Sequence, residues 1–251
     1  MSELIKNVGI KRAYLARLYF LCCDFAEDDV SVFIANGNIT FGGMSPISSF
    51  ELSIKTLDRN LYDFLEPSSN ELANIQFTVS KDDFSKILAP FSKRGGPEQP
   101  KEDTDMVSLE IRESGIRFLQ SKFHHESEEI NAKVGDGNWI SLPSEAWEFS
   151  FPPEEFSEYI IRMTSSGGPT IKFKQERSTL WIISDAGREK LHLQTSKLRN
   201  CEIYVSRITL MKVKAQLKYY ELAKVGVRDN FLMIEGHWKQ GICKWKLEAI
   251  S

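Results

Sequence analysis

Along much of the chain, apolar and polar side chains alternate with a period of two. In the first half such runs fall at Val30–Ile34, Phe50–Ile54, Ile75–Val79, Met106–Ile111 and Gly115–Leu119. In the second half they fall at Thr170–Phe173, Thr179–Ile183, Lys190–Gln194, Glu202–Val205, Ala223–Val227, Phe231–Glu235 and Cys243–Glu248. Their β-branched and aromatic side chains suit a half-buried pleated surface, so each run predicts a strand. Turn residues part them at Asn36-Gly37-Asn38, Asp185-Ala186-Gly187, Arg228-Asp229-Asn230 and Lys239-Gln240-Gly241. Strands set this close together predict antiparallel sheets rather than βαβ units.

A helical period is confined to four segments: Lys11–Cys23, Lys81–Lys93, Pro153–Ser165 and Arg207–Tyr219. Ser80 before Lys81-Asp82-Asp83, and Pro152-Pro153-Glu154-Glu155, are helix starts, where acid meets the positive end of the helix dipole. Gly167-Gly168-Pro169 stops the third helix, and Pro90 is expected to kink or end the second early.

The order strand, helix, strands, helix, strands then repeats. First helices start about 142 residues apart and second helices about 126. This predicts an α+β fold of two topologically similar domains, at 1–132 and 146–251, each with antiparallel β-sheets and two helices. Between them Ala132–Glu145 (AKVGDGNWISLPSE) is Gly-rich and then apolar, an expected exposed connector at 133–145. Arg94–Thr104 (RGGPEQPKEDT) is polar enough for a loop inside the first half.

Composition narrows the class. With 251 residues, 41% hydrophobic and 27% charged, the chain is long enough for a substantial core and has the balance of a globular protein. No apolar run approaches the roughly 20 residues of a membrane span, and the N-terminus lacks a signal-peptide layout. An intracellular protein is expected. Cys22, Cys23, Cys201 and Cys243 have no CxxC spacing and are expected as reduced thiols, with no metal and no cofactor. His124 and His125 are adjacent, so their side chains diverge on a strand, and no HExxH, GxSxG or GxxxxGK[ST] motif occurs. No enzyme is expected.

A net charge of −3 argues against a nucleic-acid binder only if the charge is evenly spread. It is not. The helical segments, with the second taken to Arg94 and the third to Ser166, carry +7, so the rest of the chain carries −10. Three of the four are basic and the third is acidic. On a helical wheel Arg207, Lys214 and Lys218 fall within about 40°, beside the apolar face of Leu210, Val213 and Leu217, with Lys212 off that stripe. Lys86 and Lys93 fall within about 20°, away from Phe84, Leu88 and Phe91. For one helix this is an ordinary solvated face; repeated in both halves, it points to a polyanion-binding surface.

With these features the sequence resembles the PCNA family of DNA sliding clamps. LPSEAWEFSFPPEEFSEYI (Leu142–Ile160) is similar to the family's connector end, strand and first second-domain helix. Ser85-Lys86-Ile87-Leu88 resembles part of the first domain's second helix, and Lys190–Ser196 (KLHLQTS) the strand ending in Gln-Thr-Ser. Ser206–Ala215 (SRITLMKVKA) places Arg207 and Lys214 where the last helix carries basic residues, and Lys244–Ile250 (KWKLEAI) resembles the closing strand and tail.

The resemblance implies three subunits closed head to tail into a ring, with helices lining a hole for duplex DNA and edge strands near Phe123–Ile130 and Lys190–Thr195 pairing between subunits. It implies DNA-facing roles for Lys86, Arg207 and Lys214; Arg12, Arg17, Lys93, Lys212 and Lys218 join them by lying on the same helices. Partners such as a polymerase and a clamp loader are implied to dock on an outer apolar pocket formed by Ile47, Ile140, Leu142, Pro143, Leu247 and Ala249. Ile140 and Leu142 would equally serve to pin the connector to its domain. The pattern departs from the family at Glu158, where a basic residue is usual, and at Phe41-Gly42-Gly43-Met44-Ser45-Pro46, where the family's Asp-containing motif is not recognisable. A checkpoint-type clamp subunit and a monomeric DNA-binding processivity factor remain alternatives.

Overall fold

The computed structural model describes residues 4–35, 37–55, 75–92, 106–120, 125–134, 142, 149–165, 167–191, 199–228 and 230–250. The chain forms two compact units: Met1–Met44 with Leu52–Ile140, and Ser45–Glu51 with Ser141–Ser251. A short early segment thus belongs to the second unit.

The first unit runs β1 (Leu4–Lys11), α1 (Arg12–Phe25), β2 (Asp29–Ala35), β3 (Asn38–Ser45), β4 (Ser48–Lys55), β5 (Ile75–Ser80), α2 (Lys81–Ser92), β6 (Met106–Arg112) and β7 (Gly115–Gln120). Three two-residue strands follow: β8 (His125–Glu126), β9 (Ile130–Asn131) and β10 (Lys133–Val134). One antiparallel sheet has the order β1-β6-β7-β8, with β9 also on β7; a second layer runs β10-β5-β2-β3-β4. β1 pairs with β6 from Lys11↔Met106 to Leu4↔Arg112, with a register shift between Leu4 and Lys6. Gly115 admits no side chain because an added Cβ would lie 2.0 Å from the Ile130 carbonyl oxygen across the sheet.

Aromatic packing fixes α2. The Phe84 ring sits 6.1 Å from Phe41 on β3 and 6.1 Å from Phe118 on β7, and Phe91 meets Phe118 edge-on at 5.7 Å. The helix continues through Pro90 to Ser92 instead of breaking there. Pro90 is exposed, so the carbonyl that loses its partner can turn to water, while buried Phe91 holds the final turn and the Ser92 hydroxyl donates to the Ala89 carbonyl at 2.7 Å.

The second unit runs β11 (Phe149–Phe151), α3 (Pro153–Thr164), β12 (Thr170–Arg177), β13 (Thr179–Ser184), β14 (Gly187–Leu191), β15 (Arg199–Ser206), α4 (Arg207–Leu217), β16 (Leu222–Val227), β17 (Phe231–Trp238) and β18 (Gly241–Glu248). Its sheets have the orders β14-β13-β12-β15 and β11-β16-β17-β18, and the leading residues of β4 lie beside β18. There the Glu248 N–H donates to the Ile47 carbonyl at 3.0 Å. Gly236 is required because the Tyr220 ring presses on it: an added Cβ would lie 2.6 Å from Cγ. That ring in turn meets Trp238 and Trp245 edge-on.

The mixed α+β class and the repeated make-up of sheets and paired helices agree with the sequence pattern. The turns at Asp185-Ala186-Gly187 and Lys239-Gln240-Gly241 close the β13–β14 and β17–β18 hairpins, Gly187 taking φ +140°. Two strands carry no clear period-two signal: β1, and β3, whose centre is Gly42-Gly43. Arg94–Thr104, most of the expected connector and Lys190–Thr195 beyond Leu191 lie outside the described residues, whereas the expected edge near Phe123–Ile130 holds β8 and the start of β9, both paired with β7.

Candidate nucleic-acid interface

Each unit packs two helices against each other and against its sheets, and the sequence-predicted cations fare differently in the two. Arg12 opens α1 and is half-buried. Arg17 is 2% exposed, its guanidinium 5.8 Å from the Tyr14 ring centroid, because α1 is enclosed on most sides and buries Tyr14 through Leu18 consecutively. A cation that reaches no solvent cannot meet a phosphate, so Arg17 drops out of the candidate surface. Lys86 is exposed on α2 and bonded to Asp83, one turn earlier, at 2.9 Å. That hydrogen bond, and then the charge of Asp83, raise the pKa of the ammonium. Lys93 lies outside the described residues.

On α4 the expected apolar face is realised: Leu210, Val213 and Leu217 are fully buried. Ser206 caps the helix, its hydroxyl accepting from the Thr209 N–H at 3.3 Å. Lys212 and Lys214 are half-buried; Lys218 is exposed, its ammonium 4.9 Å from the Tyr219 ring centroid. Arg207 is turned inward in part, its Nη1 donating to the last carbonyl of α3, that of Thr164, at 3.2 Å. A cation there complements the negative end of α3. α3 itself exposes Glu154, Glu155 and Glu158, and its Arg162 bonds Glu189 at 3.0 Å and lies 3.8 Å from Glu158. The helix is therefore acidic at its surface, in line with its sequence.

Exposed apolar side chains accompany the cations. Ile208 (68% exposed), Met211 (38%) and Ile161 (48%) stand open among these charges, and the Thr164 hydroxyl reaches the Met211 sulfur at 3.2 Å, joining the two helices there. On a helical wheel Ile208 lies about 170° from the face of Leu210, Val213 and Leu217, so its exposure follows from its angle, although attention to the cations alone passes over it.

The outer apolar positions also divide. Ile47 (45% exposed) and Ala249 are open, whereas Leu247 (1%) and Leu142 (3%) are buried. Leu142 is held in place and offers no surface: its N–H donates to Glu51 Oε2 at 2.9 Å and its carbonyl accepts from Lys244 Nζ at 3.4 Å. Ile140 and Pro143 lie outside the described residues. Sequence reasoning missed Glu51 and Lys244, because each occupies a regular polar position of an alternating strand, as Lys246 and Glu248 do.

Deeper in the same sheet, burial is the first cause that raises the Glu235 carboxyl, opposed by Lys224 and Lys244 and assisted by Glu51. Burial, then Lys224 and Lys244, lower the pKa of His237, whose Nε2 touches Glu235 Oε1. All four cysteines are free, and burial, then the neighbouring Cys23, push the Cys22 thiol up. Among the described residues no group of three or more His, Cys, Asp or Glu is placed to hold a metal ion, and no helix is long and apolar enough to cross a membrane.

No protein-family model and no curated protein sequence matches the chain. Solved structures do. The proliferating cellular nuclear antigen of Entamoeba histolytica matches over 100% of both chains with a TM-score of 0.67 at 12% identity. A chain of the PCNA2–PCNA3 complex of Sulfolobus tokodaii matches over 97% of this chain and 99% of its own, with a TM-score of 0.64 at 14% identity. Both likenesses run along the full length at low sequence identity, so this chain has the PCNA-type clamp fold.

Proposed function

We propose that the chain is a subunit of a DNA sliding clamp: a non-enzymatic ring component that encloses duplex DNA without reading its sequence and carries replication partners on its outer face. The full-length likeness to PCNA structures supports this most directly. The charge pattern is the physical counterpart. Enclosure supplies retention, so contacts to the backbone need only be weak and sequence-independent, and an acidic remainder discourages DNA from binding elsewhere. Arg12, Lys86, Lys212, Lys214 and Lys218 are the proposed DNA-facing residues among those described, with Arg207 in a shared structural role. Ile47 and Ala249 are the proposed exposed part of the partner surface, for a polymerase or clamp loader inside the cell.

Light scattering on the purified chain tests the ring. A trimer is expected, alone or on adding a related chain; the second outcome would parallel the heteromeric complex from Sulfolobus tokodaii. A strict monomer at micromolar concentration under both conditions overturns the ring. Retention on circular but not on linear DNA then distinguishes enclosure from direct binding by a monomeric factor.

A further inference from the structure

Four neighbouring strands of the second unit carry a row of alternating charge. Lys224 on β16 is in register with Glu235 on β17, and Glu235 with Lys244 on β18. Beyond Lys244, Glu51 on the leading half of β4 completes the row. The Lys244 ammonium bonds Glu51 Oε1 at 3.0 Å, and Lys224 lies 4.0 Å from Glu235. The side chains of Glu235, Glu51 and Lys244 are only 4%, 9% and 14% exposed. At its end the row grips backbone: Glu51 Oε2 accepts from the Leu142 N–H and Lys244 Nζ donates to the Leu142 carbonyl.

A buried ion pair is a poor device for stability, since its desolvation offsets much of its attraction and an apolar pair of similar volume often serves as well. It is a good device for position when its remaining donors and acceptors are all committed. Here each carboxylate oxygen of Glu51 has a different partner, and both polar backbone groups of Leu142 are taken by one ion pair. We propose that Glu51 and Lys244 are positioning residues that latch the chain at Leu142, so that the ion pair fixes where the Leu142 backbone lies on the second unit. Burial of the Leu142 side chain alone leaves its backbone free to slide or flip. The latch removes that freedom. Its bearing on partners rests on the clamp reading above, because Leu142 is one of the positions expected at the docking surface; the latch itself does not depend on that reading.

Amide hydrogen exchange in the ¹⁵N-labelled full chain tests it. Glu51→Ala is expected to speed exchange at Leu142 by about tenfold or more, the loss of one buried hydrogen bond, while amides of β16 and β17 keep their rates. Glu51→Gln retains an acceptor oxygen and is expected to restore most of the protection. Should Glu51→Ala fail to fold, Glu51→Gln with Lys244→Met leaves no unpaired buried charge, and Leu142 is expected to exchange faster there than in Glu51→Gln alone. Unchanged exchange at Leu142, or acceleration spread equally through β16 and β17, overturns the latch. Neither result touches the trimer measurement, so failure of the latch and failure of the clamp reading are separable.

Discussion

The helix pairs of the two units have the same place in the fold and different surfaces. α1 buries eight of its 14 residues, one of them Arg17, and the exposed Lys86 of α2 is already engaged by Asp83. α4 buries five of 11 and leaves Lys212, Lys214 and Lys218 at least partly open, beside an acidic α3. Formal charge on a helix is therefore not charge on a surface. Among the described residues the expected cations that reach the surface are Arg12 and Lys86 in the first unit and Lys212, Lys214 and Lys218, with the partly inward Arg207, in the second.

The largest effect that bears on this comparison is at Arg17. Arg17→Ala should destabilise the first unit by about 3 kcal/mol, because a buried stem and its contact with the Tyr14 ring are lost; Arg17→Met, which keeps the stem, should cost about 1 kcal/mol. Urea unfolding measures both, and a neutral Arg17→Ala would mean that the residue is available to DNA after all. Next, Lys214→Glu with Lys218→Glu should weaken DNA binding by about tenfold and reduce the slope of log affinity against log salt by about two, whereas Lys86→Glu should do clearly less. Equal losses from the two helix pairs would break the contrast.

The smallest effect is in the response to acid. Glu110 in the first unit is buried, which alone would raise it, but hydrogen bonds from Arg117 and Arg112 outweigh burial and lower its pKa. Its contribution is complete above pH 4.5 and is lost as pH falls through the depressed folded value. In the second unit two groups oppose each other. His237, lowered, loses its contribution as pH falls below 6.5 through its folded value. Glu235, raised, contributes fully below 4.5 and loses that contribution as pH rises through its folded value. Stability should therefore fall between pH 6.5 and 4.5 in Glu235→Gln and rise over the same window in His237→Gln, as read by urea midpoints at stepped pH. The same sign in both variants would show that the two groups do not act separately.

Periodicity carried the fold class a long way. The strands with strict alternation and the helices with a full apolar face, such as Leu210-Val213-Leu217, are where the sequence places them. What the pattern could not carry was set by tertiary packing. β3 is a strand despite Gly42-Gly43 because β2 and β4 lie on either side of it, and α2 outlasts Pro90 because Phe91 is held by Phe118. The candidate surface was less legible than the fold, since a wheel ranks residues by angle and not by what covers them. Arg17 shows this: a cation expected at the surface is only 2% exposed. Leu142, in the apolar end of the connector, had a docking role or an anchoring role open to it, and its burial with the bonds to Glu51 and Lys244 distinguishes them.

The seven residues Ser45–Glu51 belong to a unit whose remainder begins only at Ser141. During synthesis they leave the ribosome long before the strand they border has been made, and the second unit must wait for β18, near the end of the chain, before it is whole. Cutting the gene at the connector would separate these pieces for good. A product starting at residue 141 would present β18 with an open edge, ready to pair with any strand it met, and such a half-protein should be recovered chiefly as aggregate. Supplying a peptide of residues 45–55 should return part of it to solution.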